Sequence, residues 1–366
     1  ILDPSVLLDL GKATLLLESQ SFLTHYRPDP IGVPVLDGDP WALSTRRSYV
    51  PRSGALSTFG GTLWRTELRY RLGEQSSLLL GVQRQVGYLS EPAPYPLGLQ
   101  DDGHTLALVA TQMNTHAEDL AVQVGVNTSF QALGLRHELG SGLDARTETV
   151  DWSMAAATPE VPWSLDLLAP QAATPAPEVG PPTSLNRWQY RLAGWWLEDR
   201  LHLTERWTLV GAGRVDAYEQ RSVVRPSVRE HRGELAPSWK LGAVWAPIAP
   251  VTLYSSLSHG YWPVVGVSGD GSLLAPERNY GGELGARLTD AARRFTVDEA
   301  GFVILNHNVT VPDPNNANFQ TQRGATLTRG VESFVTARLD RSLRAVGSYT
   351  YTVATITDDV TPERRG

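Results

Sequence analysis

The sequence predicts an all-β protein, an antiparallel transmembrane β-barrel, and three observations carry that reading. Apolar and polar residues alternate with period two through most of the chain, whereas the i, i+3, i+4, i+7 spacing of an amphipathic helix is broken by Gly or Pro wherever it begins. The connectors between alternating segments take turns at being short and long. Trp and Tyr, with 11 and 12 residues, far outnumber the 7 Phe, and rings with a polar handle favour places where water meets an apolar phase.

Composition sets the outer limits. With 366 residues, 41% hydrophobic and 19% charged, the chain is too apolar for disorder. The absence of Cys excludes a disulfide scaffold, a thiolate nucleophile and a thiolate zinc site. Thirty-two basic against 39 acidic residues leave a net charge of −7, without the basic footprint of a nucleic-acid partner. No window of 18 apolar residues suggests a membrane helix, and the start at Ile1 has neither Met nor the order of a signal peptide. No propeller-like repeat or internal boundary is evident, so one domain over 1–366 is expected.

About fourteen strands are predicted. The first two, 5–10 and 13–25, flank Gly11-Lys12. Strand 62–72 puts Trp64, Thr66, Leu68, Tyr70 and Leu72 on one face and Arg65, Glu67, Arg69 and Arg71 on the other; 76–88 follows a Gly-Glu-Gln turn. From 104 to 130 parity holds without a clear turn, with Leu106, Leu108, Leu120, Val122, Val124 and Val126 opposite Thr105, Thr111, Gln123, Asn127 and Ser129. Such a strand exceeds what a globular sheet needs, and a hairpin around 115–119 is the alternative. Strands 136–150 and 187–203 flank a Pro- and Ala-rich stretch. Strands 207–219 and 233–246 follow, the second with Trp239, Leu241, Ala243 and Trp245 opposite Ser238, Lys240 and Gly242. The series closes with 251–262, 280–288, 295–310, 324–339 and 343–357; in the last, Tyr349, Tyr351 and Val353 oppose Ser348, Thr350 and Thr352.

Short connectors fall at 11–12, 73–75, 204–206, 247–250, 290–293 and 340–342, and long ones at 26–61, 89–103, 151–186, 220–232, 263–279 and 311–323. A soluble antiparallel sheet with one wet face also alternates, but it has no need of tight turns at one end and long loops at the other. Outer-membrane barrels have both. Hydrocarbon requires every backbone polar group to be paired internally, so spanning strands must belong to a closed sheet with lipid outside and a wet lumen inside. Arg65, Glu67, Arg69 and Arg71 then line the lumen. Trp207, Trp245 and Tyr261-Trp262, near strand ends, supply interfacial rings.

Several stretches resemble the barrel of TonB-dependent outer-membrane siderophore receptors, the ferrichrome or hydroxamate type in particular. The run 195–216, WWLEDRLHLTERWTLVGAGRVD, is similar to that family's aromatic, Asp, Leu-Thr turn, Trp and Arg-x-Asp pattern. Segment 236–263, APSWKLGAVWAPIAPVTLYSSLSHGYWP, resembles the next hairpin with its Pro-containing turn, and 274–288, LAPERNYGGELGARL, the Pro-Glu before a Glu-Leu-Gly strand. Segment 324–359, with Arg329-Gly330-Val331-Glu332 and Tyr349-Thr350-Tyr351, matches a later stretch; 32–40 and 137–144 are weaker likenesses. Receptors of this type have an N-terminal plug and a barrel of about 22 strands. Set against that pattern, about three strands would precede Ser5 and about five would follow Thr357, so a barrel portion without plug is expected.

The resemblance implies import of a ferric siderophore as transported ligand, with no catalytic step and no cofactor. It implies the TonB–ExbB–ExbD complex acting through the plug, outer-membrane lipid and lipopolysaccharide as surroundings, a monomer, and the outer membrane of a Gram-negative cell. Vitamin or glycan import and a porin-like channel are the alternatives. Ligand contact in such receptors comes largely from external-loop and upper-wall aromatics, which nominates Trp41, Tyr95, Trp163, Tyr261 and Trp262; girdle or loop packing is the competing role for each. The eight His are too scattered to suggest a metal site. Ser258 and His259, adjacent on one strand, face opposite sides, and no Gly-x-Ser-x-Gly elbow exists, which argues against a hydrolase. Gly211 and Gly213 lie within a strand pattern, not before a helix, so no dinucleotide site is expected.

Overall fold

The computed structural model describes residues 1–26, 36, 39, 42–44, 56–158, 163–170, 176–225, 228–264, 268–292, 294–313, 316–340 and 342–358, with the backbone alone at 224, 225, 228–230, 316–319 and 323. The described residues contain no helix and fifteen strands. These are β1 (Ser5–Asp9), β2 (Ala13–Tyr26), β3 (Ser57–Arg71), β4 (Ser76–Leu99), β5 (Thr105–Ala132), β6 (Leu135–Ala156), β7 (Trp163–Asp166) and β8 (Ser184–His202). They continue as β9 (Trp207–Arg225), β10 (Val228–Ile248), β11 (Val251–Trp262), β12 (Glu277–Thr289), β13 (Phe295–Asp313), β14 (Asn316–Arg338) and β15 (Arg344–Asp358). All but β7 form one antiparallel meander in sequence order, β6 pairing directly with β8, while β7 pairs with the start of β5. A short connector leaves the chain no choice but to fold back beside itself. At the tightest, Leu133 and Gly134 both take positive φ, 53° and 76°, as a two-residue hairpin loop twisted with its strands requires.

One structural finding settles an alternative left open by the sequence in favour of a single strand, and two correct the sequence reading. The segment 104–130 is one strand, β5, with no hairpin at 115–119: Thr115 pairs with Leu89 and Trp152, and Asp119 with Gln85 and Glu148. Three stretches read as long loops are mostly strand, because β4 runs to Leu99, β9 and β10 meet across 226–227, and β13 and β14 across 314–315. The polarity of the molecule therefore resides in strands that overrun at one end as much as in loops. Pro92, Pro94 and Pro96 read as loop, yet β4 loses its β3 neighbour after Ser90 and becomes an edge strand there, where Pro is tolerated. Finally, β7 lies inside the Pro/Ala-rich 151–186 stretch, where no strand was expected.

Large apolar residues of one parity point outward. Leu120, Val122, Val124 and Val126 on β5, Trp207, Leu209 and Val215 on β9, and Leu235, Trp239, Leu241 and Trp245 on β10 are all exposed. On β9 the outward series passes from Trp207 to Ala217 before the first charge, Glu219, and on β10 from Trp245 to Leu235, which is the roughly 9–11 residues a tilted strand needs to cross hydrocarbon. Trp207 and Trp245, register partners, stack at 5.1 Å and 12° at the short-turn rim, where interfacial rings belong. Above the band the outer face turns ionic, with Arg187–Asp151 at 2.6 Å, Arg221–Glu219 at 2.5 Å and Arg84–Glu118 at 3.9 Å.

The inner face inverts the rule for soluble proteins: Glu67, Asp216, Gln220 and Ser222 are buried there. Among the described residues the apolar core cluster lies at the overrunning end, where Leu106, Leu108, Trp163, Leu165 and Leu167 pack with Leu36 and Leu43. The ladder Leu106↔Leu165 and Leu108↔Trp163 zips it shut. Beside it, Asp102 accepts from the Thr105 hydroxyl and from the amides of Thr105 and His104. Those donors, the Thr105 hydroxyl first, hold its carboxyl at about 2.

Two substitutions test the outward assignment in the full-length protein. Leu241→Arg places a cation at the middle of the β10 outer face and is predicted to cost about 2–4 kcal/mol in bilayers. Lys240→Ala, one residue away on the inner face, is predicted to change stability by less than about 0.5 kcal/mol. Equal costs in denaturant titrations of the vesicle-inserted protein would refute the assignment.

Candidate functional site on the inner wall

A single crosswise row organises the wall. Glu67 pairs with Gly81, Gly81 with Gln123, Gln123 with Asp144, Asp144 with Gly194 and Gly194 with Asp216, one residue from each of β3, β4, β5, β6, β8 and β9. Glu67 is clamped by its own-strand neighbours Arg65 at 2.7 Å and Arg69 at 2.6 Å, which period two delivers to the same face. Arg214 binds both oxygens of Asp144, at 2.6 and 2.8 Å, and both oxygens of Asp216, at 2.8 and 2.5 Å. Arg146 bridges Asp119 at 2.5 Å and Glu148 at 3.0 Å. Asp216 is only 2% exposed, so its charge depends on that paired guanidinium.

Glycine makes the row possible. A Cβ at Gly194 would fall on the Asp216 carboxylate and the Arg214 guanidinium. Trp196, on the same face, lies over Gly125, Gly140 and Gly142; a Cβ at Gly142 would meet the indole at 2.8 Å and the Val124 carbonyl at 2.5 Å. Large inner side chains thus lie flat against bare backbone on the neighbouring strand.

Towards the overrunning end the wall turns aromatic. Tyr218 stacks on Tyr190 at 6.0 Å and on Tyr261 at 5.9 Å. Tyr190 and Tyr261, with Trp188, Trp262, Asp216 and Gln220, border a cavity of about 930 Å³, within the range of small-molecule sites, and Tyr218 backs the two tyrosines. Gln220 donates to the Val264 carbonyl at 2.8 Å, tying the start of the 263–276 connector to the wall. A second cavity, about 910 Å³, lies at the short-turn end among Arg71, Asn127, Arg136, Glu138, Trp196 and Arg200. It is polar, and Phe130, which stacks on His137 at 5.0 Å, and Trp196 are the aromatic rings among its lining residues.

Of the residues nominated from sequence, Tyr261 and Trp262 meet at the aromatic cavity. Trp163 is 4% exposed within the loop-end core, and Tyr95 is exposed on the overrunning part of β4. Trp41 lies outside the described residues. Arg65, Glu67 and Arg69 form the ion triad, whereas Arg71 sits at the short-turn end and donates to the Gly11 carbonyl. Ser258 and His259 do not come together: His259 stacks with Tyr280 at 4.4 Å and lies against Trp239. No group of His, Asp and Glu able to hold a metal occurs among the described residues. The sequence reading missed Tyr190, Tyr218, Asp144, Arg214 and Asp216. Their signal was present as same-parity spacing, Arg214, Asp216, Tyr218 and Gln220 on one strand, but it gains meaning only when the register lays β6 and β8 beside them.

Sequential antiparallel strands, apolar outside and ionic inside, whose described overrunning parts lie at one end, define a transmembrane β-barrel of the receptor type. The chain belongs to the TonB dependent receptor-like, beta-barrel family, whose model matches residues 8–365. Among curated proteins it is 26% identical over 317 residues to the metal-pseudopaline receptor CntO of Pseudomonas aeruginosa (strain UCBPP-PA14), covering 84% of this chain and 44% of that protein. It is 27% identical over 269 residues to the ferrichrome outer membrane transporter/phage receptor of Escherichia coli K12, covering 71% of this chain and 36% of that protein. The chain thus spans less than half the length of these relatives, which are receptors and transporters, not enzymes. Two solved structures share the fold: the ferric-catecholate import receptor Fiu of E. coli K12, with TM-score 0.80, 16% identity, and 99% of this chain and 58% of that one covered, and the siderophore receptor PiuA of Acinetobacter baumannii, with TM-score 0.83, 15% identity, and 98% and 56% covered.

Arg214→Met is predicted to destabilise the full-length protein by about 2–3 kcal/mol, somewhat less than the roughly 3–5 kcal/mol for a fully buried pair because the site is partly open. Adding Asp144→Asn and Asp216→Asn should restore part of that loss, since the uncompensated charges disappear. A triple variant less stable than Arg214→Met, by urea midpoint, would contradict the ionic account.

Proposed function

We propose that the protein is an outer-membrane receptor of a Gram-negative cell that imports a ferric siderophore, with the chelate as transported ligand and the TonB–ExbB–ExbD complex supplying energy through a plug domain. The observation that carries this reading is the tyrosine-stacked cavity, set on the inner wall at the overrunning end of a barrel of this family. A receptor holding a bulky chelate gains area and orientation from stacked rings on its wall. Tyr261 and Trp262 contact the ligand, with Tyr190 and Tyr218 behind them. The ionic row beneath supplies a wetted surface along which a plug can rest. The two relatives, a metal-pseudopaline receptor and a ferrichrome transporter, support a metal chelate as the ligand. The working unit is a monomer surrounded by outer-membrane lipid and lipopolysaccharide.

The test is growth of iron-starved cells on ferric chelates as sole iron source, with the gene intact, deleted, or carrying Tyr261→Ala with Trp262→Ala. Uptake should require the gene and TonB, and the double variant should need about tenfold more chelate for half-maximal uptake, the equivalent of about 1.4 kcal/mol. Uptake of every chelate without the gene, or gene-dependent uptake independent of TonB, would overturn the proposal. Gene-dependent import of a vitamin or glycan in place of any chelate would overturn its ligand class.

A further inference from the structure

The side chains around the tyrosine cavity carry a charge imbalance that the transport reading does not by itself require. Two guanidiniums, Arg146 and Arg214, serve the cavity wall. They are held by Asp119, Glu148, Asp144 and Asp216, and Glu277 at the rim accepts from the Thr310 amide at 2.9 Å. Of the residues that border the cavity, three carboxylates, Glu148, Asp216 and Glu277, face two guanidiniums, a surplus of one negative charge. The adjoining Arg232–Glu234 pair, at 2.8 Å beside Tyr218, cancels itself. Neither arginine is free to meet an anion, because both guanidiniums are occupied by carboxylates. The remaining lining is neutral and aromatic, and ring faces attract cations.

Resting on the transport reading, we infer that the cavity selects metal chelates of zero or positive net charge and rejects polyanionic ones. The chemistry divides the candidates cleanly. Three singly charged bidentate groups, such as hydroxamates, neutralise a ferric ion, and a pendant ammonium makes the complex cationic. Three doubly charged catecholates leave a complex with three negative charges, which a cavity with a surplus of the same sign repels. The barrel fold does not decide this, since a ferric-catecholate receptor shares it at 16% identity. The wall side chains decide it, through Glu148, Asp216 and Glu277, three carboxylates that border the cavity directly.

The full-length purified protein should be titrated with three ferric complexes: a neutral tris-hydroxamate, a tris-hydroxamate bearing one ammonium, and a tris-catecholate. The first two should bind at least about tenfold more tightly than the third. The ratio should shrink between about 0.1 and 1 M salt, as the screening length falls from about 10 to about 3 Å. In Glu148→Gln with Glu277→Gln the ratio should narrow through tighter tris-catecholate binding, with tris-hydroxamate binding reporting that the variant is folded. Equal or tighter binding of the tris-catecholate by the unmodified protein would overturn the charge rule and leave the transport reading standing. Binding of none of the three, together with no gene-dependent uptake, would overturn both.

Discussion

A strand that crosses hydrocarbon must find partners for every backbone N–H and C=O in the strands beside it, because lipid offers none. Much else in this protein follows from that constraint. It requires unbroken ladders, and the register runs continuously from β1 through β15 with shifts only at a few positions near strand ends. It also fixes two faces per strand, so each sequence must satisfy lipid at one residue and water at the next. The alternation that looks like a local rhythm is the trace of a global requirement.

The inner face shows what the sheet does with the other half of its residues. Charged side chains on a curved wall crowd together, and burying an unpaired charge is costly. Arg214 resolves this for Asp144 and Asp216 at once, and Arg146 for Asp119 and Glu148. Glycines at 81, 142 and 194 clear the backbone beneath the larger groups. The wall is thereby stiff, polar and closely fitted, and the aromatic cavity is built on its upper margin. The cavity sits where the ionic row ends and the overrunning strands begin, with rings above and paired charges below.

The fold was largely legible because the membrane imposes period two on nearly every segment. Outward Trp239, Leu241 and Trp245 and inward Arg65, Glu67 and Arg69 were readable from parity alone. The overrunning ends were not. Above the membrane no lipid demands alternation, so Pro92, Pro94 and Pro96 looked like loop until the loss of β3 as neighbour explained them. The candidate site was half legible. Tyr261 and Trp262 stood out as aromatics before a long connector, but Tyr190 and Tyr218 lie in mid-sequence of other strands and reach Tyr261 only through a register that no single sequence states. Trp163 resembled them in composition and neighbourhood, and the structure buries it among leucines, a distinction that depends on β7 folding onto β5.

The account stands or falls on which face of the sheet meets lipid. Single cysteines at 238–243 on β10, each the sole Cys of the full-length protein and carrying a spin label in bilayers, read this directly. The account predicts that labels at 239, 241 and 243 contact a lipid-soluble relaxant and are shielded from a water-soluble one, with the reverse at 238, 240 and 242. Water-soluble relaxant reaching both sets equally would contradict it and return the chain to the class of sheets wetted on both faces.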